Sequence, residues 1–213
     1  MSYAPSTFHA GTGEDFFRKE GFLVDGMAPL VTARYTIPTF SDSNGTAVTI
    51  TNSVAQAASG ANDATWVGYN LAASKTKLLA IKYGQYQSGT WMGLGFHDGT
   101  LPTTTLQDAY LALYVGAGSK TALAKYVGGT YSAIVTEDTT FYQDNAQVAP
   151  VMGIGLYVDG DNDIQKSFVQ SGTGEWFQLQ AGAADSHSSF QSFFLLSSGA
   201  YSRHIAPIYC WGS

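Results

Sequence analysis

The sequence predicts an all-β protein, an antiparallel β-sandwich with little helix. Three observations predict it. Short runs rich in β-branched and aromatic residues recur along the 213 residues, separated by Gly, Ser, Asn and Asp. Helix signals are confined to residues 14–21 and to 104–109, where Thr104 or Thr105 could cap a turn. No strand–helix alternation marks a parallel sheet, so the strands must pair antiparallel.

In order, the expected strands cover 28–36, 46–52, 65–71, 77–83, 90–96, 110–115, 121–127, 131–135, 139–142, 151–158, 164–169, 176–180, 190–196 and 205–211. The second alternates, with Val48 and Ile50 on one face and Thr49 and Thr51 on the other. Residues 77–81 are apolar at the centre, which predicts burial on both faces. Turns are expected at Ser43-Asn44-Gly45, Ser88-Gly89, Asp98-Gly99, Gly128-Gly129 and Asp159-Gly160, each supplying positive φ. No linker divides the chain. Residues 26–213 form one sandwich, and 1–25 read as an N-terminal arm reaching a neighbouring subunit through Phe16-Phe17.

One internal similarity stands out. Met92-Gly93-Leu94-Gly95-Phe96 precedes Asp98-Gly99, and Met152-Gly153-Ile154-Gly155-Leu156 precedes Asp159-Gly160. In each, the glycines share one strand face and leave room for a closely packed layer, while the apolar side chains point to the core.

Hydrophobic residues make up 45% of the chain and aromatics 14%, which predicts a folded core rather than disorder. Only 12% of residues are charged, so Ser, Thr, Asn, Gln and Gly must build the polar surface. The net charge is -6, and the 10 Lys and Arg are scattered, which argues against nucleic acid and anionic membranes as partners. Cys210 is the one cysteine, which excludes an intrachain disulfide and reads as a core side chain. Met1 to Ala10 lack the basic start and apolar stretch of a secretory leader.

Catalytic and cofactor motifs are sparse. The Gly-x-Gly pairs do not continue into a nucleotide-binding loop, and the four histidines are not at zinc-ligand spacing. His97-Asp98 could orient an acid–base pair, although a turn histidine is the simpler account. Glu14, Glu20, Glu137 and Glu175 form no strand pair of the kind glycosidases use, so no catalytic residue is assigned. Asp159-Gly160-Asp161-Asn162-Asp163 resembles the first half of a calcium loop, but Ile164 and Gln170 break the pattern. A solvated hairpin turn is the preferred reading, with calcium on Asp159, Asp161 and Asp163 as the alternative. Trp66, Trp91, Trp176 and Trp211 read as core, whereas Tyr83, Tyr86 and Tyr142 are candidates for surface contacts.

The succession of Asn44-Gly45, Val48-Thr49-Ile50, Leu78-Leu79-Ala80-Ile81-Lys82, the two Met-Gly strands, Glu175-Trp176-Phe177 and Ile205-Ala206-Pro207-Ile208 resembles the concanavalin A-like sandwich, particularly its SPRY-like branch. Lys82 departs from the acidic residue that this branch often carries there. The resemblance spans residues 40–213 and implies a module of the kind found in tailed-phage virion proteins. It implies a non-catalytic structural protein of the virion surface, a capsid decoration or tail component. That protein would contact its own subunits, as a trimer, and other virion proteins. The alternative is a lectin-like module of a tail fibre that binds a host-surface glycan.

Overall fold

The β-rich runs pair into two antiparallel sheets in the computed structural model, which describes residues 13–19, 21, 23, 27–33, 49–51, 54–56, 65–85, 91–101, 103, 106–115, 120–138, 151–170, 176–182, 187–198 and 203–213. One short helix, α1 (Gly13–Lys19), precedes fourteen strands. These are β1 (Ala28–Ala33), β2 (Thr49–Thr51), β3 (Val54–Gln56), β4 (Thr65–Lys75), β5 (Lys77–Gln85), β6 (Trp91–His97), β7 (Ala109–Val115), β8 (Lys120–Val127), β9 (Thr130–Asp138), β10 (Val151–Asp159), β11 (Ile164–Gln170), β12 (Trp176–Gly182), β13 (Phe190–Ser198) and β14 (Arg203–Gly212). Among the described residues no helix is long and apolar enough to cross a membrane.

The larger sheet has eight strands in the order β12-β11-β10-β5-β14-β3-β2, with β1 also on β14, and the smaller has six in the order β4-β13-β6-β7-β8-β9. β14 is long enough to serve two partners on one side. Its end near Gly212 pairs with β1, and Arg203 to Ile205 pair with β3. The register against β5 breaks between Ile205 and Ile208, where Pro207 cannot donate a ladder hydrogen bond.

The core lies between the sheets. Leu78 and Ala80 of β5 and Ile154, Leu156 and Val158 of β10 meet Met92, Leu94 and Phe96 of β6, Tyr110 and Tyr114 of β7, and Phe193 and Leu195 of β13. The two Met-Gly strands therefore stand in opposite sheets, each with its large residues inward. Their glycines face outward, and each sheet's outer face carries a cover.

Over the six-stranded sheet the cover is the β6–β7 connection, whose Leu101 and Leu106 pack on Leu111, Leu113, Phe194 and Leu196. A Cβ on Gly95 would come within 2.3 Å of the Phe194 ring and 2.7 Å of the Tyr110 carbonyl oxygen. Over the eight-stranded sheet the cover is α1. Its Phe16 and Phe17 pack on Leu79, Ile81, Phe168, Trp176 and Trp211. Phe16 stacks on Trp176 at 5.6 Å, and Phe17 meets Phe168 edge-on at 4.9 Å. Gly155 makes room for Phe17, since a Cβ there would sit 3.0 Å from its ring. Arg18 and Lys19 in the last turn suit the helix dipole.

Several expectations are met. Leu78, Leu79, Ala80 and Ile81 are all fully buried, so β5 is covered on both faces. Cys210 is buried in the core, where burial raises its thiol pKa. Trp176 and Trp211 are buried, while the side chains of Trp66 and Trp91 lie outside those described. Others are corrected. Phe16 and Phe17 are buried against the chain's own sheet rather than held out to a neighbouring subunit, because the outer glycines of β10 leave a socket their rings fill. β3 was not foreseen; three residues are too few for a periodicity. Among the described residues positive φ occurs at Gly21, Gly128, Gly129 and Asp163, so Gly99 and Gly160 do not supply it. Gly160 has a different reason to be glycine: a Cβ would lie 2.8 Å from the Ser188 carbonyl oxygen.

Candidate binding surface at one end of the sandwich

Strand directions bring the described connections together at one end. Thr76 links β4 to β5 there, residues 98–108 link β6 to β7, Gly128-Gly129 turn β8 into β9, and 160–163 turn β10 into β11. Residues 187–189 enter β13 at the same end.

Hydrogen bonds tie these connections to one another. Gly160 N–H donates to the Thr76 carbonyl at 2.8 Å. Within the β6–β7 connection, Asp98 N–H donates to the Asp108 carbonyl at 3.1 Å. The Asn70 side chain fixes the same connection from below: its Nδ2 donates to the Leu101 carbonyl at 2.8 Å, and its Oδ1 accepts from Leu101 N–H at 2.7 Å. Ser192 Oγ donates to the Gly99 carbonyl at 2.7 Å. The connection then holds the β8–β9 turn. Gly129 N–H donates to the Gln107 carbonyl at 2.9 Å, and Gly128 N–H to Asp108 Oδ1 at 3.1 Å. His187 Nε2 lies 3.2 Å from the Tyr126 carbonyl oxygen.

The β8–β9 turn carries the exposed aromatic surface of this end. Tyr126 and Tyr131 are a cross-strand pair with rings edge-on at 5.7 Å. Tyr126 leans on the apolar cluster beneath the β6–β7 connection, and Tyr131 lies next to it on β9, at the sheet edge. Tyr131 is 37% exposed and Val127 43%, the two large hydrophobic residues that stand out among the described surface. Burial raises the pKa of both tyrosine hydroxyls, and Tyr126 adds to the effect on Tyr131. Both therefore stay protonated at neutral pH, as amphipathic rings with a donor at the tip. Gln107, Thr130 and Ser188 are exposed at the same end of the sandwich. The result is a tyrosine pair beside a turn that hydrogen bonds hold in place.

The Asp159–Asp163 turn belongs to the same end. Asp159 Oδ1 accepts from Asp161 N–H at 3.1 Å and Asn162 N–H at 3.2 Å. Its Oδ2 accepts from Asn162 Nδ2 at 2.9 Å and Tyr157 OH at 3.2 Å. Lys77 Nζ stands 3.7 Å from Asp159 and 3.8 Å from Asp161. Burial alone would raise the Asp159 pKa, but the Asn162 hydrogen bonds, the Lys77 ammonium and the Tyr157 hydroxyl together hold it below the ordinary value. Asp163 adopts φ of 52° to close the turn. Among the described residues no three of His, Cys, Asp and Glu are gathered to hold a metal ion. In this hydrogen-bonded hairpin the Lys77 ammonium faces the carboxylates of Asp159 and Asp161.

Of the tyrosines expected at the surface, Tyr83 is partly buried against the aromatic cluster beneath α1, while Tyr86 and Tyr142 lie outside the described residues. The pair of Tyr126 and Tyr131 was missed. Its signal was present: tyrosines placed symmetrically about Gly128-Gly129 become neighbours once those glycines form the turn. Lys82 is buried in line with Leu78 and Ala80, and desolvation lowers its pKa well below the ordinary lysine value.

No family model matches this chain, and no curated protein matches it in sequence. Solved structures do match in fold. Lectin I from Ulex europaeus, solved with the methyl glycoside of alpha-L-fucose, superimposes with a TM-score of 0.57 at 8% identity, covering 88% of this chain and 97% of the lectin. The legume lectin-like domain from Entamoeba histolytica gives 0.56 at 9% identity over 87% of this chain and 98% of that one. The CBM2 module of the evolved Dit of Lactobacillus casei BL23 phage J-1 gives 0.52 at 6% identity over 89% of this chain and 90% of the module. The chain has the two-sheet β-sandwich of the concanavalin A-like lectins.

Proposed function

We propose that this protein is a non-catalytic carbohydrate-binding module, and that its binding surface is the tied loop end bearing Tyr126 and Tyr131. The observation that carries the reading is the exposed Tyr131, paired with Tyr126 next to a β8–β9 turn that Gln107 and Asp108 hold by hydrogen bonds. A sugar ring presents an apolar face to an aromatic and a rim of hydroxyls to side-chain and backbone polar groups. Pre-organised loops spare much of the ordering cost of that contact. The lectin and CBM2 architectures support the reading, and the phage Dit module supports a phage setting.

A glycan array followed by titration calorimetry with the strongest hit tests this. Tyr131→Ala should weaken binding on the order of tenfold, equivalent to about 1.4 kcal/mol, while Tyr131→Phe keeps most of it. An empty array, or a Tyr131→Ala protein that binds like the wild type, would sink the proposal.

A second reading, a capsid decoration or structural tail protein assembled as a trimer, is favoured by the 12% charged content, which suits close packing against other chains. Light scattering and co-sedimentation with phage particles test it. A monomer that ignores particles counts against it.

A further inference from the structure

We propose that His97 is a positioning residue for the loop end, a proton-sensitive latch that holds the β6–β7 connection and, through Gln107, the β8–β9 turn that carries Tyr131. His97 ends β6 on the outer face of the six-stranded sheet and is 3% exposed beneath the connection. Its Nε2 accepts a hydrogen bond from Gln107 N–H at 3.4 Å. Accepting at Nε2 places the proton of the neutral ring on Nδ1. The same residue, Gln107, accepts from Gly129 N–H at 2.9 Å through its carbonyl. One dipeptide, Gln107-Asp108, therefore joins the imidazole to the turn.

Protonating Nε2 removes the acceptor and leaves the Gln107 amide without the ring. The new N–H is drawn to Asp98 Oδ1, already 3.4 Å from Nε2 and on the more exposed side of the connection. The charged and titratable groups facing the ring are Asp98 and Asp108 of the connection and His187 before β13. From β13 comes the neutral Ser192, whose hydroxyl is engaged by Gly99. Burial lowers the His97 pKa below the ordinary 6.5, the two aspartates and the nearby Gly99 backbone oppose this, and His187 adds to the lowering, while Nδ1 is buried without a hydrogen-bond partner. The fold thus prefers the neutral ring. The unfolded chain takes up this proton first, from about pH 6.5 downward, so the latch contributes fully above that pH and its contribution is lost as pH falls toward the folded value.

The consequence for binding rests on the carbohydrate-binding reading, but the latch does not. Amide hydrogen exchange of Gln107 and Gly129 by NMR, compared between about pH 8 and about pH 5 after correction for intrinsic rates, tests it without any ligand. Protection at both amides should fall on the order of tenfold at the acid end. In His97→Gln that pH dependence should flatten, and in His187→Gln it should persist. Unchanged protection in the wild type, the same fall in His97→Gln, or loss of the fall in His187→Gln would overturn the latch. Should His97→Gln fail to fold, the wild-type protein decides: the loss of protection at Gln107 and Gly129 should follow the His97 imidazole titration, and a loss that follows another midpoint overturns the proposal. Flat exchange leaves the glycan reading untouched, just as an empty glycan array leaves the latch standing.

Discussion

The two sheets solve the same problem with different covers. Each has a glycine-faced strand at its centre, β6 in one and β10 in the other, and each needs a layer over its outer face. On the eight-stranded sheet that layer is α1, anchored by Phe16 stacked on Trp176 and Phe17 edge-on to Phe168. On the six-stranded sheet it is the β6–β7 connection, pinned by Asn70, Ser192 and His97 as well as by Leu101 and Leu106. Ring packing hides apolar area well but tolerates sliding. Hydrogen bonds fix where a backbone lies. The hydrogen-bonded cover is the one that positions an exposed surface, the Tyr126–Tyr131 pair, and that difference separates a cover that stabilises from one that also presents.

Removing the ring anchor should have the largest effect. Phe17→Ala is expected to cost about 3–5 kcal/mol in denaturant unfolding, because it empties a fully buried ring site. A loss under about 1 kcal/mol would mean that α1 does not belong to this sheet and would restore the arm to a partner subunit. The glycine strands separate the covers next. Gly95→Ala drives a Cβ into the Phe194 ring and the Tyr110 carbonyl and should cost about 2 kcal/mol. Gly155→Ala meets the Phe17 ring only at 3.0 Å and should cost less. Equal costs would mean that both glycine faces are packed alike.

Asn70→Ala should cost about 1–2 kcal/mol through its paired hydrogen bonds to Leu101. It should also speed amide exchange at Leu101 while leaving α1 unaffected. The smallest effects are expected at the Asp159 turn. Its lowered pKa means its stabilisation is present above the ordinary carboxylate value and is lost as pH falls through the folded value. Asp159→Asn should therefore flatten the acid limb of the stability curve. Calcium added and then chelated should leave the melting temperature unchanged, since Lys77 already faces both carboxylates. A calcium-dependent rise would establish the metal on Asp159, Asp161 and Asp163.

Strands were legible because side-chain alternation and turn residues are local. The Met-Gly strands were legible on both faces: alternation put Met92, Leu94 and Phe96 inward, and paired glycines implied something close outside. What that something was could not be read. Nothing near Gly155 names Phe17, and nothing near Gly95 names the Phe194 ring. Phe16-Phe17 looked like an exposed hook because a short apolar pair far from any strand has no local partner. Tyr126 and Tyr131 were not singled out in the sequence; the exposure of Tyr131 follows from β9 being an edge strand, which is a property of strand order.

The sequence by itself determined an all-β sandwich, the inward faces of the two Met-Gly strands, a buried Cys210 and a weakly charged composition. Those properties follow from composition and period-two patterning, which act over a few residues. The tertiary structure alone decided which layer covers which sheet, that His97 sits under a connection rather than in an open turn, and that Tyr131 faces solvent. Each depends on residues distant in sequence meeting in one register, and the free energy of those meetings is invisible until the sheets are assembled.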